Sequence, residues 1–195
     1  MKSYTMVYDS YAQAQRVVSE LEAAGVPSSE ISLLANKHVS DQYANVDDAS
    51  ATATGASLGA AVGGGAGLLA GLGLLAIPGL GPVVAVGWLA TTALGAVAGG
   101  TTGGIIGALV ESGVPEENAQ VYSEAVRRGG TLVTVRTDEA NGGRVEAILN
   151  KHQPIDPVAR RADYGREGWD RFDPKAPPYQ PNEAEIERMR RKYPD

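Results

Sequence analysis

Gly71-Leu-Gly-Leu-Leu-Ala-Ile-Pro-Gly-Leu-Gly-Pro-Val-Val-Ala85 is the run on which the fold turns. It lies within a stretch from Ala49 to Val110, 62 residues without one charged side chain, which holds 17 of the 25 glycines. Roughly 20 apolar residues suffice to cross a bilayer core, and an ordinary surface helix keeps a charged or polar face. This stretch has no charged face, so something must cover it. Its glycines are spaced. Gly55, Gly59, Gly63, Gly67 and Gly71 are four apart, and so are Gly95, Gly99, Gly103 and Gly107. Steps of four keep residues on one slowly turning helix face, and a face without side chains lets a second backbone approach closely. Between the two runs, Pro78, Gly79, Gly81 and Pro82 break a helix and read as a tight turn. The spacing predicts two antiparallel helices, about 53–77 and 83–111, which form a glycine-zipper hairpin.

On either side of this insert the residues read as halves of one small domain. In residues 1–36, Thr5-Met6-Val7-Tyr8 is a short strand and Asp9 or Ser10 can cap a helix. Ala14, Val17, Val18 and Leu21 share one apolar face of that helix. Gly25 and Pro27 end it, and Ile31 to Ala35 is a second strand. Residues 37–52 are a polar linker. After the insert, residues 112–158 hold a helix begun at Pro115 and closed by Gly129-Gly130. Ala119, Tyr122, Ala125 and Val126 are its inward positions. A β-branched strand, Thr131 to Thr137, follows, then a helix capped by Asp138 with Ala140, Val145, Ile148 and Leu149 inward, and a weak strand near Ile155. The predicted class is α+β: a ferredoxin-like β-α-β-β-α-β domain with one extra helix and the hydrophobic hairpin, 53–111, inserted between its second and third strands. Residues 159–195 carry nine Lys/Arg and eight Asp/Glu among prolines and read as a solvated, flexible tail. Near its end, Asn182 with Glu185 resembles a capping box that can start a short helix.

Gly71 to Ala85, followed by Gly113-Val-Pro-Glu-Glu-Asn-Ala119 and Arg127-Arg-Gly-Gly-Thr-Leu-Val-Thr-Val135, resembles bacterial proteins of the general stress protein 17M-like type, also called heat- or low-temperature-induced proteins. The resemblance covers residues 3–158. It implies a stress-linked bacterial protein and supplies no catalytic residues.

Composition narrows the function classes. A net charge of −6 argues against a general nucleic-acid surface. The absence of Cys removes disulfides, thiolate metal sites and cysteine nucleophiles. Gly65-Ala66-Gly67-Leu68-Leu69-Ala70 matches a loose dinucleotide motif but follows no predicted strand. His38 and His152 lack an evident carboxylate partner and make a poor metal site. The expectation is a non-enzyme without cofactor, catalytic or metal residues, whose partners are a membrane or copies of itself. Length, absence of charge and Trp88 as an interfacial anchor favour lipid. The acidic flanks Asp47, Asp48 and Glu111 weigh against lipid, and the apolar tip suits a re-entrant hairpin or a homo-oligomer with hairpins buried in a protein core. Met1 to Tyr8 shows no secretory pattern, which places the α/β domain in the cytoplasm as an expectation. A small-ligand sensor on the sheet is a weaker alternative, supported by fold analogy alone.

Overall fold

The computed structural model describes residues 1–36, 39, 73–77, 79–88 and 104–192. It is a mixed α+β chain. The described elements are β1 (Lys2–Tyr8), α1 (Tyr11–Ala23), β2 (Ile31–Ala35), β3 (Gly73–Ile77), β4 (Gly81–Val86), α2 (Gly104–Glu111), α3 (Glu116–Arg127), β5 (Thr131–Thr137), α4 (Glu139–Lys151), α5 (Pro157–Arg166) and α6 (Glu183–Lys192).

The opening unit follows its local signals. Ser10 caps α1 by accepting a hydrogen bond from the Gln13 N–H, and Ala14, Val17, Val18 and Leu21 are buried. At the far end, Gly25 takes φ +88 while the Val26 N–H donates to the Leu21 carbonyl and the Gly25 N–H to the Glu22 carbonyl. That paired bonding terminates the helix. Gly113, at φ +96, repeats it with Val114 bonded back to Leu109, so the two Gly-Val-Pro linkers have the same geometric job. Pro115 is the N-cap of α3, one residue earlier than its expected place inside the helix. In α4, Asp138 accepts from the Asn141 N–H, and Gly142 lies under the Tyr4 hydroxyl, where any Cβ would overlap it. The glycine that weakens this helix intrinsically is thus needed for its packing.

The sheet has five antiparallel strands in the order β1-β5-β2-β4-β3. β1 and β2 do not touch each other; each pairs with β5, as in Thr5 opposite Thr134 and Leu33 opposite Val133. Both faces of the sheet are covered. Val133 and Val135 join Val17, Leu21, Val145 and Leu149 of α1 and α4 in one cluster. Leu132, Val7 and Leu34 join Leu109, Tyr122 and Val126 of α2 and α3 in the other. A strand buried on both faces has no need of polar alternation. This explains why β2 and most of β5 are buried at every position. Residues 153–156 form no strand, and Ile155 meets the sheet through one bond, its N–H donating to the Val7 carbonyl at 2.7 Å.

The central run departs from expectation. Gly73–Ile77 and Gly81–Val86 are strands, not the ends of two helices. They form a β-hairpin with Leu74 opposite Val84 and Ile77 opposite Gly81, and β4 adds to the edge of β2. Of the expected turn residues, Gly79 lies in the turn, whereas Gly81 and Pro82 open β4. Gly79 sits at φ +80, Gly81 at φ +79, and the Leu80 N–H donates to the Ile77 carbonyl at 3.0 Å. A Pro-Gly break suits a β-turn as well as a helical corner. The open edge of β2, with unmet backbone donors and acceptors, favours the strand alternative.

Of the expected zipper, Gly55, Gly59, Gly63, Gly67, Gly71, Gly95, Gly99 and Gly103 lie outside the described residues, as does Pro78 of the turn. Gly107 lies in α2, and a Cβ there would meet nothing within 4 Å among the described residues. α2 packs, among the described residues, through Ile105, Ala108 and Leu109. Among the described residues, no helix is long and apolar enough to cross a membrane.

The tail also differs from a solvated coil. Asp156 accepts from the Val158 and Ala159 N–H groups and starts α5, with Pro157 in the first turn. Phe172, only 4% exposed, enters the core cluster of Ile77 and Leu80. Burying such a side chain contributes about 1.5–3 kcal/mol, enough to hold a segment that is otherwise polar. α6 forms at the expected capping box, with the Glu185 N–H donating to Asn182 Oδ1.

Candidate functional site

The C-terminal end of α3 carries a concentration of charge that hydrophobic periodicity does not reveal. Glu124 is 0% exposed although it lies between the inward positions Ser123 and Ala125. Its carboxylate accepts from Arg127 Nε at 2.9 Å and Nη2 at 2.8 Å, and from Arg128 Nε at 2.7 Å. Spacings of three and four along a helix bring these side chains together. Arg128 also reaches Glu167 just past the end of α5. Its guanidinium lies 4.2 Å from the centre of the Tyr164 ring and 5.3 Å from that of Tyr179. Arg127 lies 5.2 Å from the Tyr179 ring. Nearby, Arg160 donates to Asp9 at 2.7 Å.

Of these groups, Asp9, Arg128, Arg160, Tyr164 and Glu167 line a cleft of about 440 Å³, together with Arg188. Its electrostatics are balanced. Burial opposes the charge on Arg128, but the hydrogen bonds it donates to Glu124 and Glu167 outweigh it and raise its pKa above the ordinary arginine value. Arg160 is raised likewise, against burial, by Asp9 and Tyr164. Burial raises the Tyr164 hydroxyl, although Arg160 and Arg128 pull the other way. Burial and then Glu185 raise Tyr179, whose hydroxyl donates to that carboxylate. These arginines stay charged and these tyrosines protonated across the physiological range. The arrangement suits holding chain segments together, with cation–π contacts each contributing about 0.5–2 kcal/mol.

On the opposite face, His152 finds a carboxylate. Its Nε2 lies 2.7 Å from Glu20 Oε2, and Lys151 Nζ lies 2.6 Å from Glu20 Oε1, which corrects the expectation that this histidine lacks such a partner. His38 lies outside the described residues. Among the described residues, no group of three or more His, Asp or Glu is placed to hold a metal. The hydrogen bonds from Lys151 and then His152 pull the Glu20 pKa below its ordinary 4.5. A carboxylate with a depressed pKa contributes stability above its unfolded-state pKa and loses it as pH falls through the folded value. Glu20→Gln is therefore expected to be less stable than wild type at pH 7. The gap should close as pH drops below 4.5. Urea midpoints at pH 7 and at acid pH check this; a gap independent of pH would show that Glu20 makes no such contribution.

Trp88, a candidate for an interfacial anchor, is engaged within the protein. It is half-buried against the core cluster of α2 and α3. Arg136 lies 4.4 Å from the centre of its ring and also pairs with Glu30. The turn residues Gly79 and Gly81 are covered by the tail. A Cβ on Gly79 would fall 2.7 Å from the Phe172 ring and 2.7 Å from Pro174 Cα, and one on Gly81 would fall 3.4 Å from Pro178. Comparison with known protein families, with curated proteins and with solved structures finds no match to this chain.

Proposed function

We propose that this chain is a non-enzymatic bacterial stress-response protein, of the general stress protein 17M-like type, that self-assembles through its uncharged glycine-spaced stretch. The proposed body is ferredoxin-like. The strand order β1-β5-β2, with α1 and α4 on one face, supports that reading, as does Ile155 bonded to the open side of β1 where a fourth strand would lie. The extra helix and its neighbour cover the other face.

The observation that carries the functional reading is the β3–β4 hairpin in the middle of the charge-free stretch. Because the hairpin belongs to the sheet, the stretch falls into two connections, residues 40–72, uncharged from Ala49 onward, and residues 89–103, and each begins and ends on the same domain. To cross a bilayer and return takes about 40 residues plus a turn. The connections have 33 and 15. Lengths this short disfavour a spanning hairpin and favour association from one side, either with copies of the chain or with the near surface of a membrane. The acidic flanks Asp47, Asp48 and Glu111 weigh against an anionic lipid surface, so self-assembly is the preferred form. Ring stacking and ion pairing in the cleft at α3 support a holding role there.

Detergent-free fractionation followed by size measurement tests the proposal. The expected result is a soluble particle larger than one chain. Gly63→Leu and Gly99→Leu should each reduce its size, because bulk on a glycine seam separates backbones. A monomer at high concentration, or variants with unchanged size, would sink it. Recovery only with membranes would favour the lipid form instead.

A further inference from the structure

We infer that residues 172–179 form a displaceable strap that restrains self-association by covering the β3–β4 turn. The inference rests on the self-assembly reading and adds its regulation. Three observations carry it. First, the strap runs along the turn: Phe172, Asp173 and Pro174 stand over Gly79, and Pro178 stands over Gly81. This turn is the described corner of the charge-free stretch, and the buried Ile77 and Leu80 belong to the same cluster as Phe172. Second, the strap is pinned at few points. Phe172 is its one buried side chain, and its N–H donates to Gln120 Oε1 at 3.0 Å. The other attachments are Arg127 Nη1 to the Pro177 carbonyl at 3.4 Å, the two arginines near the Tyr179 ring, and the Tyr179 hydroxyl donating to Glu185 of α6. Third, Asp173, Pro174, Lys175, Pro177 and Pro178 are exposed. A segment with one apolar anchor and water-facing polar bonds opens at lower free energy than the core beneath it. Opening would uncover Ile77 and Leu80 beside the uncharged connections, and a second copy of this chain, bearing the same apolar surface, is the occupant that gains by covering them.

The test uses the full chain with Phe172→Ala and, separately, Tyr179→Ala. Two quantities are read: the rate of native-state tryptic cleavage after Arg171, and self-association by sedimentation. The first reports the strap, because the bond after Arg171 enters the buried Phe172. Cleavage about tenfold faster together with self-association about tenfold tighter supports the inference, since local opening and exposed surface rise together. Faster cleavage with association unchanged or weakened overturns it. If Phe172→Ala lowers the melting transition of the whole body, Tyr179→Ala, which lies outside both hydrophobic clusters, decides by the same two readings. Adding Leu69→Lys separates the two levels. Strap-released association that survives this charge keeps the strap and removes the uncharged stretch as the associating surface. Association abolished by it supports both.

Discussion

Glu124→Ala is expected to destabilise the fold by about 3–5 kcal/mol, the usual consequence of removing one partner from a buried ionic group. The carboxylate is fully buried and satisfies three guanidinium donors, while Arg127 and Arg128 are each about 15% exposed. Removing it leaves two positive charges side by side, with the half-exposed Glu167 as a weaker counter-charge on Arg128. Part of the loss comes from that repulsion, so adding Arg127→Ala should restore some stability. For a chain of this size a loss of this order lowers the thermal midpoint by on the order of 10 °C. Chemical unfolding of the single and double variants measures both effects. A change below about 1 kcal/mol would mean that water replaces the carboxylate freely, contrary to its burial.

The second large effect is expected at Asn36. This side chain, 2% exposed, joins three parts of the fold. Its amide donates to the Leu80 carbonyl at 3.0 Å and to the Arg127 carbonyl at 3.1 Å, and its oxygen accepts from the Val39 N–H at 3.3 Å. Asn36→Leu keeps the volume and strands all three groups. A buried polar group without its partner costs about 1–3 kcal/mol, and partial relaxation brings the expected total to about 2–4 kcal/mol. Asn36→Asp should be at least as damaging, because a carboxylate would face two carbonyl oxygens. Urea unfolding gives the magnitudes. Hydrogen exchange at Leu80 and Val83 localises them, since loosening should concentrate at the β3–β4 hairpin. Stability within about 0.5 kcal/mol of wild type would show that these bonds do not hold the hairpin to the sheet.

The parts of the fold legible in the sequence are those where local and tertiary preferences agree. Ser10, Gly25, Pro115, Asp138 and Asn182 act at or within one residue of where capping chemistry places them, and the inward faces of α1 and α3 match their periodicity. The β3–β4 hairpin was not legible, because Leu, Ala and Gly at 73–77 suit either state. The choice depends on an open strand edge formed by Ile31–Ala35, some forty residues away. A glycine spacing of four matches a helical period without requiring a helix. At the site, Glu124 reads as a solvent-facing charge on an amphipathic helix. Its triplet with Arg127 and Arg128 is a visible signal only once burial is known. Phe172, the sole Phe, carried no pattern at all, since one aromatic among prolines and charges has no period. The Asp156-Pro157 start of α5 was present as a cap signal, but the surrounding charge masked it.

The central position of β5 has a consequence for synthesis on the ribosome. The chain emerges from its N-terminus at roughly 5–20 residues per second. β1 and β2 appear early but have no bond to each other; β2 can pair with β4 first, whereas β1 waits for Thr131–Thr137, more than a hundred residues further on, which also joins it to β2. For several seconds the nascent polypeptide therefore holds an unmatched β1 and the entire uncharged stretch without the central strand that joins the two halves of the sheet. A chaperone that acts before Thr131–Thr137 has emerged would meet this chain at its most vulnerable.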